Sequence, residues 1–430
     1  MKPTSTHTRG GVFGGSIRRQ ITLCLLIPAL AACDALDRAL NVETPSTIPA
    51  ALADNPAAAS LLVQGMLADF DCAFGSYIVI GGLVTDELIE ASALANRWPY
   101  DRRDVQPSDI RYGTFSCENL GVYVPVSTAR FTADDALAKL ERWTDAEVAN
   151  RTSLVSTAAA YSGYSHILLG EGFCSAAIDT GPELTPAQIF GLAEQKFTRA
   201  IEAAQAAGSD SIRHMALVGR ARARLNLGNY ADAAADAMLV PQGFTAFASA
   251  SNASTRRQNR IFTQNRLGTI VSVGPEYRDL QFNGVPDPRV VVTQSGRNGA
   301  DGFTPMWEQN KYTSEGSPIV IASWKEARLI VAEAALRGGN PQAAVEIINV
   351  LHARAGLPAF SSSNPDEIMA QIIEERRREL FLESHRLWDV NRFGINLDPP
   401  AGTPYVKGGL YGNTTCLPLP NVERANNPNI

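Results

Sequence analysis

Apolar residues recur three or four positions apart along most of the chain, which is the spacing of one face of an α-helix. Leu62, Met66 and Phe70, for example, share such a face. The pattern predicts helices over residues 57–70, 133–143, 146–169, 187–206 and 212–227, with further helices opening after residues 229 and 364. Asn364 can cap the last helix, and Pro365 suits its first position. The chain is therefore predicted to be mostly α-helical.

Small residues repeat at fixed distances around two turns. Ala221 lies seven residues before Gly228, and Ala233 lies five residues after it. The same spacing returns at Ala332, Gly339 and Ala344, and residues 161–164 fit a degenerate third copy. This spacing is typical of the tetratricopeptide helix–turn–helix, in which small residues let paired helices approach closely. It predicts tetratricopeptide-like pairs in an α-α superhelical body; generic antiparallel helix pairs with alanine at their contacts are the alternative.

The helical pattern breaks over residues 241–318, which are rich in Gly, Pro, Asn and Ser and contain β-prone runs at 269–273 and 289–293. We interpret this segment as a loop-rich insertion, because long irregular segments in compact domains are usually functional. The predicted organisation is a leader (1–32), a tether and entry segment (33–56), an N-terminal helical region (57–240), the insertion (241–318) and a C-terminal helical region with an extended tail (319–430).

The N-terminus has the pattern of a secretory signal. Positive residues precede the apolar run Ile21–Leu30, which is too short to span a bilayer core of about 30 Å. Leu30–Cys33 resembles a bacterial lipobox, so we expect cleavage before Cys33 and acylation of that cysteine. An ordinary signal peptide with a chance cysteine is the alternative. No later stretch is expected to reach the ~20 apolar residues of a transmembrane helix.

Composition is that of an ordinary globular protein, with a net charge of −6. The leader has four positive and no negative residues, so the mature chain is more acidic still. Nucleic-acid binding is not expected, since neutralising phosphates requires clustered Lys and Arg. The one basic run, Arg376–Arg378, is flanked by glutamates and predicts an ion-paired helix surface.

Four cysteines remain after Cys24 and Cys33 are set aside, and an even number in an exported chain suggests two disulfides. Of the three possible pairings we favour Cys72–Cys117, a local loop, and Cys174–Cys416, which would attach the tail to the middle of the chain. Four unpaired buried thiols are the alternative.

Several motifs resemble, in order, those of the SusD/RagB family of nutrient-binding outer-membrane lipoproteins. They are Leu40–Pro45, Tyr277–Leu280, Pro286–Arg289, Glu326–Ala334, Glu374–Leu380, His385–Asp389, Pro418–Pro420 and Asn426–Asn429. Together they span nearly the whole mature chain, and the C-terminal half is the specific part. The resemblance implies an α-helical body with tetratricopeptide-like pairs and irregular insertions.

The resemblance also implies a role. Proteins of this family are lipid-anchored at the outer membrane, face the exterior and dock on a SusC-like TonB-dependent transporter, to which they deliver an oligosaccharide or another nutrient. No cofactor and no catalysis are implied. One departure is Asp34, directly after the lipid cysteine, since in some bacteria this residue retains lipoproteins at the inner membrane.

Sugar binding requires apolar ring faces beside hydrogen-bonding side chains. The best candidates form one loop cluster of Asn96, Trp98, Tyr100, Arg102 and Asp104, in a segment where family members often place ligand-binding aromatics. A second cluster, Trp307, Lys311 and Tyr312, resembles a structural family motif. Tyr123 and Phe303 are weaker candidates.

Catalytic signatures and metal-ligand spacings do not occur in this sequence. His385 beside Arg386 is expected to be structural. The leading hypothesis is a non-enzymatic nutrient-binding lipoprotein. A tetratricopeptide-type scaffold without a small-molecule site is the alternative, and a surface hydrolase is the least favoured.

Overall fold

A computed structural model describes residues 54–430, so the predicted leader, Cys33 and nearly all of the tether lie outside the described residues. Fourteen α-helices lie within the described range. They are α1 Ala59–Val84, α2 Trp98–Asp101, α3 Ile110–Thr114, α4 Tyr123–Arg142, α5 Arg151–Gly172, α6 Pro186–Ala207, α7 Asp210–Asn226, α8 Tyr230–Met238, α9 Arg260–Phe262, α10 Trp324–Arg337, α11 Pro341–Ala355, α12 Pro365–Glu379, α13 Arg386–Phe393 and α14 Asn421–Asn426. The mostly helical fold class is confirmed.

Helix α1 is longer than predicted, because it continues beyond residue 70 to Val84. Nearly every residue of this second half is buried, as Phe74 and Ile78 are at 2% and 1% exposure. A helix that is buried on all sides has no amphipathic period to reveal it. By length and composition the stretch Pro56–Val84 is apolar enough to cross a membrane, which corrects the expectation that no such stretch follows the leader. Its apolar window is 78% buried inside the fold, as in the core helix of a soluble protein.

The predicted small-residue contacts are formed. Gly228 and Gly339 have φ values of 81° and 80°, the left-handed region in which glycine carries no Cβ penalty. Ala221, Ala233, Ala332 and Ala344 are fully buried where helices α7, α8, α10 and α11 pack in sequence. The tetratricopeptide-like arrangement of helix pairs is thus confirmed.

Residues 161–164, which fit a degenerate third copy of the small-residue spacing, lie at a close contact between helices. The ring of Phe197, on α6, lies between α5 and α7. A Cβ at Gly163 would come within 2.7 Å of this ring, and one at Gly219 within 2.3 Å. Because only glycine leaves room for the ring at both positions, these two glycines set the close approach of the three helices.

Ten short strands pair in five two-stranded antiparallel sheets within the described residues. The pairs are β1 Leu88–Glu90 with β5 Val271–Val273, β2 Ala176–Ala177 with β3 Glu183–Leu184, β4 Thr245–Ala248 with β10 Ile319–Ser323, β6 Gln281–Phe282 with β7 Val285–Pro286, and β8 Val292–Asn298 with β9 Pro305–Gln309. Most of them lie in residues 241–318. Leu88 pairs with Val273, so the β1–β5 sheet fastens this segment to the region after α1.

Both favoured disulfides are present. Cys72 and Cys117 are bonded with a Cα–Cα distance of 5.7 Å, and Cys174 and Cys416 with one of 5.1 Å. Beside the second bond, the Cys174 N–H donates to the Leu417 carbonyl at 2.9 Å. The extended tail is therefore held to the end of α5 by covalent and backbone bonds.

The Arg376–Arg378 run forms the predicted ion pairs, but Arg376 and Arg378 do not lie on the surface. Arg376 is 5% exposed and pairs with Asp389 of α13 at 2.8 Å. Arg378 is 9% exposed and pairs with Asp287 at 3.0 Å. The prediction of an exposed helix surface was wrong because residue Asp287 and helix α13 pack against this face of α12. The spacing of charges in the sequence shows that the residues can pair, but not whether the pairs are covered.

Candidate functional site

The predicted loop cluster lies on two short helical turns, a 3-10 turn at Ala95–Arg97 followed by α2. Pro99 falls in the first turn of α2, where a proline fits because its missing N–H needs no partner. Asn96 is exposed and Trp98 is half-buried. The Trp98 indole N–H donates to the Ser92 carbonyl at 3.1 Å, which fixes the ring and leaves part of it accessible.

Tyr100 is not available to a ligand, contrary to the prediction. It is 2% exposed and belongs to the main hydrophobic core. Its hydroxyl donates to the Leu120 carbonyl at 3.3 Å, and burial raises the pKa of the phenol well above its ordinary value. A helical turn at residues 98–101 places residues two positions apart on different faces, so Trp98 and Tyr100 cannot both face solvent.

The polar members of the cluster are largely paired with protein groups. Arg102 forms an ion pair with Asp104 at 3.1 Å and donates to the Gly408 carbonyl at 3.3 Å. The side-chain oxygen of Asn96 accepts from Arg111 at 2.9 Å. The structure thus keeps Trp98 and Asn96 near the surface, and Arg102, paired with Asp104, holds the tail at Gly408.

Three segments distant in sequence meet beside Trp98. The Asp301 N–H, in the β8–β9 turn, donates to the Ala91 carbonyl at 2.9 Å. Lys407, in the C-terminal tail, lies 2.9 Å from the Asp301 carboxylate and also donates to the Glu90 carbonyl. A Cβ at Gly299 would lie 2.6 Å from the Ala91 side chain, so glycine is needed for this close approach.

Two large apolar side chains on these joined segments are exposed, Leu94 at 51% and Phe303 at 50%. Asp301 orders the turn that carries Phe303, since its carboxylate accepts the Phe303 N–H at 3.0 Å. The Lys407 ammonium lies 5.3 Å from the centre of the Phe303 ring. We name Leu94, Trp98 and Phe303 the aromatic surface; it offers apolar faces with amides and guanidinium groups nearby, as sugar binding requires.

Sequence reasoning found Trp98 and Phe303 but missed Asp301 and Lys407. No local signal marks these two residues, because their role arises only when the tail folds against the β8–β9 turn. The prediction that Tyr123 contacts a sugar was wrong, since Tyr123 is 2% exposed and packs edge-on against Phe173 with ring centres 5.3 Å apart.

The second predicted cluster is structural, as favoured. The Lys311 ammonium donates to the Phe381 carbonyl at 2.7 Å, and the Tyr312 hydroxyl donates to the Leu382 carbonyl at 3.0 Å. Trp307 is half-buried and stacks with the Arg278 guanidinium, 4.9 Å from the ring centre. These contacts fix the end of the insertion to the turn after α12.

A second concave region lies between the insertion and α10–α12. Two adjoining cavities of about 390 Å³ and 420 Å³ share Pro288, Arg289, Lys325 and Glu379, which we name the charged cleft. Lys325 lies 2.7 Å from Glu379, and Arg289 lies 2.7 Å from Asp287. Its charges therefore neutralise one another, so that a ligand would have to compete with formed ion pairs.

Several carboxyl groups have the raised pKa that a catalytic acid requires, but they are inaccessible. Burial raises the pKa of Glu87 and of Glu326 to about 8, and that of Asp101 to about 6. All three are at most 7% exposed. Glu87 accepts the Leu382 N–H at 2.8 Å, and Asp101 accepts the Tyr405 hydroxyl at 3.0 Å. These buried carboxyls take part in packing contacts and do not face a substrate.

The histidine His385 is buried beside Arg222, at 3.4 Å. Burial, reinforced by Arg222 and other cations, holds the pKa of His385 well below its ordinary value. The prediction of a structural role for His385 agrees with this position. Cys72, Cys117 and Glu118 lie close enough to suggest a metal site, but both sulfurs are in the disulfide and offer no thiolate.

Known structures share this fold. A SusD-like carbohydrate binding protein from Bacteroides vulgatus is 15% identical, with a TM-score of 0.64 over 87% of this chain and 97% of that chain. A SusD superfamily protein from the same species is 14% identical, with a TM-score of 0.66 over 87% and 97%. One from Bacteroides thetaiotaomicron is 15% identical, with a TM-score of 0.64 over 87% and 99%. At these identities the likeness concerns the fold.

Sequence comparison adds a family match. The model of the SusD family matches residues 326–426, which run from the first turn of α10 to the end of α14. No curated protein matches the chain. The C-terminal region 326–426 is thus similar to the SusD family, and the chain shares its fold with solved SusD superfamily proteins.

Proposed function

We propose that this protein is a surface lipoprotein that binds an oligosaccharide on the aromatic surface and delivers it to a TonB-dependent transporter, without cleaving it. The observation that carries the proposal is that a fixed, partly exposed Trp98 and an exposed Phe303 lie on two segments that Lys407 joins. The match of residues 326–426 to the SusD family and a structural relative described as carbohydrate binding support the same role.

The aromatic surface suits retention of a sugar rather than bond cleavage. A flat ring covers the C–H face of a pyranose, while exposed amides such as that of Asn96 reach hydroxyls. Glu87 and Glu326 are buried away from Trp98, and Asp101, in the same helical turn as Trp98, is buried and bound by Tyr405, so none of these three carboxyls is presented to a ligand on Trp98. Binding without turnover is the chemistry this arrangement supports.

The binding role is tested by affinity electrophoresis of the full chain against a panel of soluble polysaccharides. We expect at least one glycan to retard the protein, and the Trp98→Ala and Phe303→Ala variants to lose most of that retardation. Phe131→Ala is the matched control, because Phe131 is 54% exposed but lies on α4, outside the aromatic surface. Equal retardation of all four proteins would reject the site.

The membrane and transporter parts of the proposal rest on the resemblance of Leu30–Cys33 to a lipobox and on the match to the SusD family. A Cys33→Ser variant is expected to leave the membrane fraction, and the parent to co-purify with a transporter barrel from detergent extracts. Membrane retention of the serine variant would contradict lipid anchoring. Co-purification with other envelope proteins and no glycan retention would favour the scaffold alternative.

A further inference from the structure

A third cavity, of about 260 Å³, lies between the tail segments 395–401 and 412–415 and is closed on one side by Arg103. None of the residues of the aromatic surface or of the charged cleft lines it. Its volume is below the usual range for sites of drug-sized ligands, which begins at about 300 Å³. The space suits one small ring rather than an oligosaccharide.

Arg103 is a buried cation without an anionic partner. It is 4% exposed, and no carboxylate of the described residues lies within ion-pair distance of its guanidinium. One terminal nitrogen donates to the Pro399 carbonyl, the Nε has no partner, and the Tyr411 ring centre lies 4.8 Å away. Burial lowers the pKa of Arg103, although Tyr411, Asp101 and Asp398 oppose the shift.

Arg222, another buried arginine, shows what Arg103 lacks. Arg222 is 3% exposed, and its guanidinium is bound by Glu171 and lies 3.7 Å from Glu326. An isolated buried charge is strongly unfavourable unless a counter-charge and hydrogen bonds accompany it. Arg103 lines a cavity, so a ligand bound there can supply the missing counter-charge.

The rest of the lining offers hydrogen bonds. Asn396 and Asn413 are exposed, and their amides, like the Thr415 hydroxyl, make no hydrogen bond to any residue that the structure describes. Thr414 accepts the Val105 N–H at 3.3 Å and keeps its own hydroxyl hydrogen free to donate. Amides and hydroxyls of this kind match ring hydroxyls, which both donate and accept.

We propose that this cavity binds the carboxylate of a hydroxylated acid of monosaccharide size, with the carboxylate on Arg103 and the hydroxyls on Asn396, Asn413 and Thr415. A planar carboxylate accepts two parallel N–H bonds from a guanidinium, which makes the pair specific as well as strong. The inference does not depend on the glycan role, because the two sites share no residue.

Isothermal titration of the full chain tests the proposal, with glucuronate as the probe, glucose as its neutral counterpart and inorganic sulfate as an anion without ring hydroxyls. We expect glucuronate to bind at least tenfold more tightly than either, and added salt to weaken the binding. Equal affinity for glucose would refute the anionic requirement, and equal affinity for sulfate would refute the hydroxyl contacts.

Variants locate the site. Arg103→Met is expected to abolish glucuronate binding, and Asn396→Ala, at an exposed position that does not threaten folding, to weaken it several-fold. Arg260→Met is the matched control, because Arg260 is 5% exposed, also lacks a carboxylate partner among the described residues and donates to the Thr255 carbonyl. Unchanged binding in Asn396→Ala and in a folded Arg103→Met would overturn the assignment.

Discussion

The Lys407 ammonium lies 2.9 Å from the Asp301 carboxylate, and both side chains are almost completely buried. Asp301 belongs to the β8–β9 turn and Lys407 to the C-terminal tail, so this ion pair closes the contact between two segments that are distant in the sequence. Burial favours the neutral acid, but the hydrogen bonds that Asp301 accepts from Thr304 and Lys407 outweigh it and hold the pKa of Asp301 below its ordinary value.

Breaking this ion pair should weaken both the fold and the proposed glycan binding. In Lys407→Met the Asp301 carboxylate stays buried without its cation, which typically destabilises by about 3 kcal/mol or more. Urea unfolding measures that loss. Lys139→Met is the control, since the Lys139–Asp135 pair is more exposed and should contribute about 0.5 kcal/mol. Similar losses in the two variants would mean that the Lys407 pair has no special role.

Trp98 and Tyr100 should respond oppositely to replacement by alanine. Tyr100→Ala empties a core position, and such large-to-small changes usually remove about 3–5 kcal/mol from the free energy of unfolding. Trp98→Ala should cost much less stability because the ring is half-buried, while removing glycan retention. Chemical denaturation and affinity electrophoresis of the same samples check both; a destabilised Trp98→Ala with intact binding would reverse the assignment.

The buried carboxyl Glu87 predicts that stability falls as the pH rises. Burial raises its pKa to about 8 from an ordinary 4.5, so the folded chain keeps a proton that the unfolded chain releases. The contribution of Glu87 to the free energy of unfolding is complete below pH 4.5 and is lost as the pH approaches 8. Between these values the free energy of unfolding falls by at most about 1.4 kcal/mol per pH unit.

Glu87→Gln should flatten this profile, because the amide cannot ionise yet still accepts the Leu382 N–H. Urea unfolding at pH 5, 6, 7 and 8 measures the slope for parent and variant. The stability of the variant should still fall somewhat with pH, since burial also raises the pKa of Glu326. Identical profiles would show that Glu87 is ionised in the folded protein.

The two disulfides should differ in their contribution to stability. The two bonds close loops with sequence separations of 45 and 242 residues. For such loops the chain-entropy relation gives stabilisations of about 4 and 5.5 kcal/mol. Replacing Cys174 and Cys416 by alanine should therefore lower the melting temperature more than replacing Cys72 and Cys117. It should also expose the tail to limited proteolysis. Resistance of the tail in that variant would show that backbone bonds alone hold it.

Local signals in the sequence predicted much of the fold. The spacing of Ala221, Gly228 and Ala233 identified a helix pair because the contact depends on residue size alone. The second half of α1 was not predicted, since a helix buried on all sides has no polar face and therefore no alternation of apolar and polar residues at helical spacing. The extent of a core helix thus depends on what packs around it.

The candidate site was only partly predictable. Trp98 and Phe303 stood out as aromatic residues in polar segments, but whether each is exposed depends on distant partners. Tyr100 is buried because the segment up to Leu120 packs over it. Lys407 and Asp301 are ordinary surface-type residues in the sequence, and only the folded tail brings them together.

The most direct test is a crystal structure of the full chain with the polysaccharide fragment that retards it most. The account predicts a sugar ring stacked on Trp98 or Phe303, with every glycosidic bond intact and the charged cleft free of sugar. A fragment seated between Lys325 and Glu379, or one found cleaved, would contradict it.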